Sequence, residues 1–157
     1  MTYHIRPMVA QDKPAIMKIL KATTEFNELD TKVAEEVLDA YLGYADSGYF
    51  ILVAEEEKSL LGYICYGPTP LTNGTWDVYW MAVTPQRRDK GIGGSLLLLA
   101  EQEIRRNKGR LVIIETSSRP DYELTRRFYQ KQNYIQTCQI PDFYAVGDGL
   151  TIFTKYL

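Results

Sequence analysis

Apolar residues recur along the chain with two spacings, every second position in some segments and every third or fourth in others. These are the spacings of strands and helices, so the pattern predicts an α and β fold. Strands are predicted at residues 3–6, 49–54, 60–66, 75–83, 111–115, 134–140 and 150–156, and helices from Asp12, over 31–45, from the glycine-rich stretch after Val83, and over 121–131.

Turn and cap residues mark the boundaries of these elements. Asp12 with Pro14 is expected to cap the first helix, whose apolar face carries Ile16, Ile19 and Leu20. The acidic run at 55–59 predicts a hairpin, and Asn73-Gly74 predicts a turn. Gly109 is expected to end the third helix, and residues 141–149 are expected to be the most irregular late loop. The third helix has one apolar face, made of Ile92, Leu96, Ala100 and Ile104.

The length of 157 residues predicts one globular domain spanning residues 1–157. The formal charge of -2 and the mix of 45% hydrophobic with 24% charged residues argue against a broad basic surface for nucleic acid. No apolar stretch approaches the length of a bilayer span. We therefore expect a cytoplasmic location, with neither nucleic acid nor membrane as a partner.

Cysteine and histidine are too scarce to support several kinds of chemistry. Cys65 and Cys138 are expected to be small core residues in a chain without a disulfide framework, and His4 lies in the first predicted strand. We therefore expect no metal site and no Ser/His/Asp triad.

The most informative stretch is a basic, glycine-rich segment between the strand at 75–83 and the following helix. It contains Arg87, Arg88, Lys90, Gly91, Gly93 and Gly94. Glycines let a ligand approach the backbone, and the first N–H groups of a helix favour an anion. The segment predicts a site for a phosphorylated cofactor. The alternative is an exposed, charged connection before an ordinary helix.

Two other phosphate loops fit less well. A P-loop would end in Gly-Lys-Ser/Thr, which this segment lacks. Gly91, Gly93 and the later Glu115 match part of a dinucleotide fingerprint, but Leu96 occupies the third glycine position. We therefore favour neither.

Arg88, Gly91 and Gly93 also match an Arg/Gln-x-x-Gly-x-Gly/Ala pattern, and here the sequence resembles the GNAT superfamily of N-acyltransferases. Residues 81–85 look like the family's fourth strand and its proline exit, and residues 125–134 look like its late helix and following strand. The resemblance implies an α+β fold with α/β/α layers, in which a mixed, mostly antiparallel sheet of about six or seven strands is combined with about four helices.

The resemblance further implies acetyl-CoA as cofactor. The cofactor-binding residues would then be Met81, Ala82, Val83, Arg88, Asp89, Lys90, Gly91, Ile92, Gly93, Gly94, Ser95, Tyr122, Thr125, Phe128 and Tyr129. Tyr122 stands where family members often have an asparagine that binds the pantetheine. We therefore expect an altered cofactor affinity or pantetheine route.

Three catalytic roles follow from the same resemblance. Asp77 would be the general base, often acting through water, Tyr129 the general acid toward the departing thiolate, and the Val83 N–H the donor that polarises the thioester carbonyl. The aromatic surroundings of Asp77 should raise its pKa. In the alternative interpretation, Asp77 ends the strand or caps a turn, and Tyr129 only packs its helix on the sheet.

In this family the acceptor lies between the loop joining the first two helices and the loop joining the last two strands. The substrate-binding residues expected there are Glu25, Phe26, Asp77, Tyr79 and Tyr144, with Glu28, Asp142, Phe143 and Asp148 nearby in sequence. Acidic and aromatic side chains suit a cationic amine, although ordinary solvated loops have the same composition. A small primary amine is favoured over a protein N-terminus or lysine.

Two further interpretations stay open. A catalytically silent acyl-CoA sensor or scaffold would bind the cofactor without turnover, and the exposed late strands could pair two copies in a homodimer. Nucleic-acid binding by Arg119, Arg126 and Arg127 is disfavoured, because no recognisable motif surrounds them.

Overall fold

Seven strands form one mixed sheet, and four α-helices accompany it, in the computed structural model of residues 2–157. The strands are β1 His4–Pro7, β2 Phe50–Glu56, β3 Ser59–Pro68, β4 Thr75–Val83, β5 Leu111–Ser117, β6 Ile135–Ala145 and β7 Asp148–Tyr156. The helices are α1 Lys13–Ala22, α2 Glu28–Gly43, α3 Ile92–Arg106 and α4 Glu123–Lys131. The strand order is β1-β2-β3-β4-β5-β7-β6. This confirms the expected α+β fold.

The chain divides into two compact units. Unit 1 contains residues 2–67 and Tyr79–Glu103, and unit 2 contains Pro68–Val78 and Ile104–Leu157. The strand β4 and the helix α3 each contribute residues to both units.

In unit 1, β2 and β3 form the predicted hairpin. Glu56 pairs with Ser59, and the turn residues Glu57 and Lys58 have φ of 48° and 64°. The strand β1 pairs antiparallel with β2, and α1 packs against α2. Burial of apolar side chains holds these elements together. The core contains Met8, Ile16, Ile19, Leu20, Ala34, Leu38, Ile51, Val53, Tyr63, Cys65 and Ala82.

The helix α2 spans Glu28–Gly43, so the predicted range of 31–45 was wrong at both ends. The Asn27 side chain accepts a hydrogen bond from the Asp30 N–H at 2.9 Å, and the Asp30 carboxylate accepts one from the Asn27 N–H at 2.8 Å. This reciprocal capping box satisfies amides that the first turn leaves without acceptors. It starts the helix before its apolar periodicity is visible.

Asp12 precedes α1 as expected, but it does not cap that helix with its side chain. Its carboxylate accepts hydrogen bonds from the Val9 N–H at 2.8 Å and from the Arg6 guanidinium at 2.7 and 2.9 Å. The hydrogen bonds from Arg6 lower the pKa of Asp12. Asp12 therefore ties β1 to the start of α1.

In unit 2, β5 is the interior strand that its continuous apolar sequence predicted. It pairs in parallel with Thr75–Val78 of β4 and antiparallel with β7. Val112 and Ile114 are buried. The helix α4 starts at Glu123, two residues later than predicted, after a single 3₁₀ turn at Pro120–Tyr122.

Gly109 closes the turn after α3, which itself ends at Arg106. The Gly109 N–H donates to the Ile104 carbonyl at 2.8 Å. A Cβ at Gly109 would lie 2.2 Å from Ile104 Cγ2 and 2.8 Å from Trp76 Cδ1. Close packing, rather than a positive φ, therefore requires glycine at this position.

Residues 141–149 are not the irregular loop that was predicted. The strand β6 continues to Ala145, and β7 begins at Asp148. The register shifts between Ile140 and Ala145, and the Asp142 carboxylate accepts a hydrogen bond from the Gly147 N–H at 2.7 Å. The proline and glycines that suggested a loop are thus accommodated by strand pairing with a bulge.

Cys138 is not a core residue, contrary to expectation. It lies on β6, an edge strand whose eleven residues are all exposed. Cys65 on β3 is buried as expected, and both thiols are free. A sequence pattern predicts a strand but does not show whether anything covers it.

Neither a membrane-spanning helix nor a metal cluster is present within residues 2–157. No helix there is long and apolar enough to cross a bilayer. No three His, Cys, Asp or Glu side chains in that range are placed to hold a metal ion. The single histidine, His4, has its Nε2 atom 3.3 Å from Glu55 Oε2.

Candidate functional site

The loop between β4 and α3 has the backbone geometry of an anion-binding helix start. Asp89 and Gly91 have positive φ of 61° and 80°. A Cβ at Gly91 would meet no atom within 4 Å, so its backbone conformation, not packing, calls for glycine. The Ser95 N–H donates to the Gly91 carbonyl at 3.0 Å and starts the helical ladder. The preceding N–H groups have no acceptor within the helix and are therefore suited to a ligand.

Both arginines of this loop are held by carboxylates from other segments of unit 1. Arg87 is hydrogen-bonded to Glu56 at the end of β2. Arg88 directs both of its terminal nitrogens at Glu25, with Nη1–Oε1 and Nη2–Oε2 distances of 3.3 and 3.4 Å. Lys90 is exposed. The loop therefore presents concentrated positive charge that is partly neutralised.

Ser95, a predicted cofactor-binding residue, has a defined partner. Its hydroxyl lies 2.7 Å from the Tyr3 hydroxyl. This hydrogen bond joins the segment before β1 to the first turn of α3. No pattern in the sequence predicts this contact.

The N–H groups at the carboxyl end of β4 point in alternating directions. The Thr84 N–H donates to the Leu61 carbonyl at 2.7 Å, on the β3 side of the strand. Successive N–H groups along a strand point to opposite edges, so the Val83 N–H points away from β3. A Cβ at Gly62 would lie 2.7 Å from the Ala82 carbonyl oxygen, which shows how closely β3 approaches here.

Asp77 occupies a half-buried position on β4 in unit 2. Its Oδ2 atom accepts a hydrogen bond from the Thr69 hydroxyl at 2.5 Å. The Thr69 N–H in turn donates to the Thr75 carbonyl at 2.9 Å, across the turn that precedes β4. Asp77 therefore stabilises that turn, which agrees with the interpretation of Asp77 as a turn-capping residue.

Glu115 is a candidate functional residue that the sequence analysis did not assign to the site. It lies on β5 two positions beyond Ile113, the register partner of Asp77, so Asp77 and Glu115 share one face of the sheet. Partial burial raises the pKa of Glu115, and the negative charge of Asp77 raises it further. Strand register was the missing signal, because it cannot be read from a single strand.

Tyr129 is the buried member of the pair Phe128-Tyr129. Its ring centroid lies 5.3 Å from that of Phe128 and 6.0 Å from those of Tyr134 and Phe153. Burial raises the pKa of the Tyr129 hydroxyl, with a smaller contribution from Tyr122. The hydroxyl thus stays protonated at neutral pH, as a donor must, while the ring also packs unit 2.

The remaining predicted acceptor residues fall into three separate contacts. Phe26 packs edge-on against Trp80 at 5.6 Å in unit 1, and Tyr79 packs edge-on against Tyr49 at 5.5 Å. Tyr144 packs against Phe143 at 5.0 Å in unit 2.

The predicted site residues are thus distributed over both units. Unit 1 carries Glu25, Phe26, Tyr79, Met81, Ala82, Val83, Arg88, Asp89, Lys90, Gly91, Ile92, Gly93, Gly94 and Ser95. Unit 2 carries Asp77, Tyr122, Thr125, Phe128, Tyr129 and Tyr144.

The chain matches a known protein family over most of its length. The profile of the acetyltransferase (GNAT) family matches residues 13–134. The chain belongs to the GNAT family. This confirms the resemblance first seen at Arg88, Gly91 and Gly93, and acetyl-CoA is the cofactor of the family.

Solved GNAT structures agree with this assignment. A GNAT-family protein from Desulfovibrio desulfuricans is 35% identical, with a TM-score of 0.95 and 99% of each chain covered. An aminoglycoside 6'-N-acetyltransferase complexed with coenzyme A is 18% identical, with a TM-score of 0.78 and coverage of 98% of this chain and 96% of that chain. The ribosomal-protein-S18-alanine N-acetyltransferase from Escherichia coli is 13% identical, with a TM-score of 0.79 and coverage of 99% and 94%. No curated protein sequence matches the chain.

The residues of this GNAT chain fit the phosphates of acetyl-CoA. The open space at Gly91 and the N–H groups at the start of α3 suit phosphate oxygens. Arg88 and Lys90 supply charge-assisted donors within the same loop. Within unit 2, the ring of Tyr122 lies 5.3 Å from the Arg119 guanidinium, so the position that often holds asparagine in the family carries an aromatic ring against an arginine.

Proposed function

We propose that this GNAT-family chain is an N-acetyltransferase that moves an acetyl group to a small primary amine. The observation that carries the proposal is the loop at the start of α3, with a left-handed Gly91 beside Arg88 and Lys90. Acetyl-CoA supplies an activated acetyl thioester. The residues of the chain bind and orient the reactants and move protons.

Asp77 is the proposed general base. An attacking amine must lose a proton, because an ammonium group has no lone pair to donate. The Asp77 carboxylate holds the Thr69 hydroxyl with Oδ2, which leaves Oδ1 for the amine or for a bridging water. Glu115 on the same face adds a second negative charge that attracts a cationic acceptor.

Tyr129 is the proposed general acid. A departing thiolate needs a proton or a strong hydrogen bond, and a buried phenol with a raised pKa keeps its proton until that moment. The Val83 N–H is the proposed donor to the acyl carbonyl oxygen, since it points away from β3, where the next N–H, that of Thr84, donates to Leu61.

A small cationic amine is the proposed acceptor because of the chemistry of the α1–α2 loop. Glu25 supplies a carboxylate with 17% side-chain exposure, and Phe26 packs with Trp80 beside it. Aromatic faces and a partly desolvated carboxylate both attract an ammonium group. A protein N-terminus or a lysine side chain is the second choice.

The test is release of free coenzyme A thiol from acetyl-CoA with a panel of polyamines, amino acids, aminoglycosides and short peptides. We expect turnover with at least one small amine, which would also identify the acceptor class. Turnover on peptides alone would overturn the small-molecule preference. Isothermal titration should show acetyl-CoA binding, and no binding at millimolar concentration would overturn the cofactor assignment.

A second candidate is a catalytically silent acyl-CoA sensor or scaffold. It is favoured by the structural contacts of the two catalytic candidates, since Asp77 supports a turn and Tyr129 packs in an aromatic cluster. This function requires acetyl-CoA binding with no thiol release for any acceptor. The carboxylate of Glu25 in the proposed acceptor region favours the enzyme over this sensor. Loss of thiol release on changing Asp77 or Tyr129 would distinguish the two functions.

A further inference from the structure

Glu25 and Arg88 connect two regions that the proposed function assigns to different substrates. Glu25 lies in the loop between α1 and α2, on the acceptor side, whereas Arg88 lies in the cofactor loop. They are 63 residues apart in sequence, yet Arg88 Nη1 lies 3.3 Å from Glu25 Oε1 and Arg88 Nη2 lies 3.4 Å from Glu25 Oε2. The structure therefore joins an acceptor residue directly to a cofactor residue.

The ion pair is loose enough to exchange its partner. Charge-assisted N–H···O bonds usually measure about 2.7–2.9 Å, so these contacts are long. Arg88 is 40% exposed although Glu25 is only 17% exposed, so solvent reaches the guanidinium and weakens the pair. A phosphate presents more negative charge than a carboxylate and matches the same guanidinium fork.

Other contacts keep Glu25 near the loop while it changes partner. The neighbouring Phe26 packs against Trp80 of β4, and the Phe26 N–H donates to the Thr23 carbonyl at 3.1 Å. The buried Thr23 hydroxyl donates to the Ile19 carbonyl at 2.9 Å and fixes the end of α1. The loop backbone is thus anchored next to Glu25. The Glu25 side chain also accepts a hydrogen bond from the Thr24 hydroxyl at 3.4 Å, so a change of side-chain rotamer would exchange contacts within the loop without moving its backbone.

We propose that Glu25 is a positioning residue that couples the two substrates: it holds Arg88 until a phosphate of acetyl-CoA takes that arginine, and it then binds the ammonium group of the acceptor. This inference rests on the proposed function. By linkage, acceptor binding to Glu25 also makes Arg88 available, so each ligand strengthens binding of the other. The coupling requires no movement of a helix or strand.

Arg87 provides an internal contrast. Arg87 contacts the carboxylate of Glu56, which lies at the end of β2 and outside the predicted acceptor residues. That pair holds the loop to the β2–β3 hairpin. The Arg88 pair instead reaches Glu25 in the loop between α1 and α2.

The experiment measures the dissociation constant of coenzyme A by isothermal titration, with and without saturating spermidine as the cationic probe. Coenzyme A carries the phosphates but no acetyl group, so no turnover intervenes. We expect Glu25→Gln to tighten coenzyme A binding about two- to fivefold without spermidine, because the competing carboxylate is gone. Spermidine should tighten binding to the wild type and leave Glu25→Gln unaffected.

Three variants control this result. Glu36→Gln makes the same charge change at an exposed position of α2 and should leave both constants unchanged. Glu25→Asp keeps the charge but shortens the side chain, and it should bind coenzyme A more tightly than the wild type. In an Arg88→Gln background, Glu25→Gln should have no further effect, which a double-mutant cycle detects.

The outcomes separate this inference from the proposed function. Unchanged or weaker coenzyme A binding by Glu25→Gln, or spermidine coupling that persists in it, would overturn the coupling while leaving the acetyltransferase proposal standing. Absence of coenzyme A binding by the wild type would overturn both.

Discussion

Asp77 on β4 and Glu115 on β5 lie on the same face of two parallel strands, and the charge of Asp77 helps to raise the pKa of Glu115. Burial is the larger cause of that rise. Two carboxylates so placed make a locally negative surface in unit 2. Such a surface suits a cationic amine, because the Asp77 charge disfavours ionisation of the neighbouring Glu115 and a positive charge offsets that effect.

Glu115→Gln should stabilise the protein at neutral pH but not at acidic pH. Because folding raises the pKa of Glu115, the folded state binds this proton more tightly, and stability is lost as the pH rises through the raised pKa. Glutamine removes that cost. Thermal unfolding should therefore show a higher Tm than the wild type at pH 7.5 and an equal Tm at about pH 3.5, below the ordinary pKa of glutamate.

The exposed α2 residue Glu36 provides the control for this measurement. Glu36→Gln should change the Tm by the same small amount at both pH values. An equal shift for Glu115→Gln at the two pH values would contradict the pKa argument.

Gly91→Ala and Gly109→Ala should impair different properties, the first coenzyme A binding and the second stability. At Gly91 the added Cβ has open space, but a φ of 80° strains a non-glycine residue by about 1–2 kcal/mol. At Gly109 the Cβ would clash with Ile104 and Trp76, and overpacking costs about 1–3 kcal/mol. Gly91→Ala should weaken coenzyme A binding in titration, whereas Gly109→Ala should lower the free energy of unfolding and leave that affinity near the wild-type value. A loss of coenzyme A affinity in Gly109→Ala but not in Gly91→Ala would contradict the role of Gly91 in the cofactor loop.

Features set by neighbouring residues could be predicted from the sequence. The β4–loop–α3 segment is one, because strand patterning, the glycines and the apolar face of α3 are all local. The hairpin of β2 and β3 is another, since turn residues fix its register. The capping box at Asn27 was missed although it is local, because Asp30 stands where Glu or Gln is the usual signal.

Features set by distant pairing could not be predicted. The strand β6 passes through a proline because a bulge against β7 accommodates it, and that depends on the partner strand. Glu25 was predicted to bind the acceptor and Arg88 the cofactor. No pattern in either segment indicates that the two side chains form an ion pair. Glu115 joins Asp77 only through the parallel register of β4 and β5.

The two cysteines should differ sharply in reactivity. Cys138 is exposed on an edge strand, whereas Cys65 is buried and its pKa is raised by burial. Because the thiolate is the reactive form, Cys65 is protected from reagents both by its burial and by its raised pKa. A colorimetric thiol reagent should label one of the two thiols in the native protein and both in denaturant. Cys138→Ser should abolish the native signal, and labelling that survives this change would show that Cys65 is accessible.

Tyr129→Phe should lower kcat by about 100-fold or more while leaving the fold intact, because it removes the proton donor and keeps the packed ring. Its raised pKa also predicts no loss of activity from Tyr129 ionisation between pH 7 and 9. Tyr129→Ala should in addition cost about 3–5 kcal/mol of unfolding free energy. Tyr134→Phe, at a neighbouring buried ring, is the matched control and should retain kcat. Equal kcat for Tyr129→Phe and the wild type would show that Tyr129 contributes only to packing.

Asp77→Asn should lower kcat by about 100-fold or more if the carboxylate is the general base, because an amide cannot accept the amine's proton. The hydrogen bond from Thr69 complicates this result, since any change at Asp77 also disturbs the turn before β4. Thr69→Val breaks the same bond and keeps the carboxylate. We expect Thr69→Val to lower the Tm about as much as Asp77→Asn does, while retaining most of the activity in the thiol-release assay. Comparable losses of kcat in both variants would assign Asp77 to the turn and move the search for the base to Glu115, where Glu115→Gln decides it.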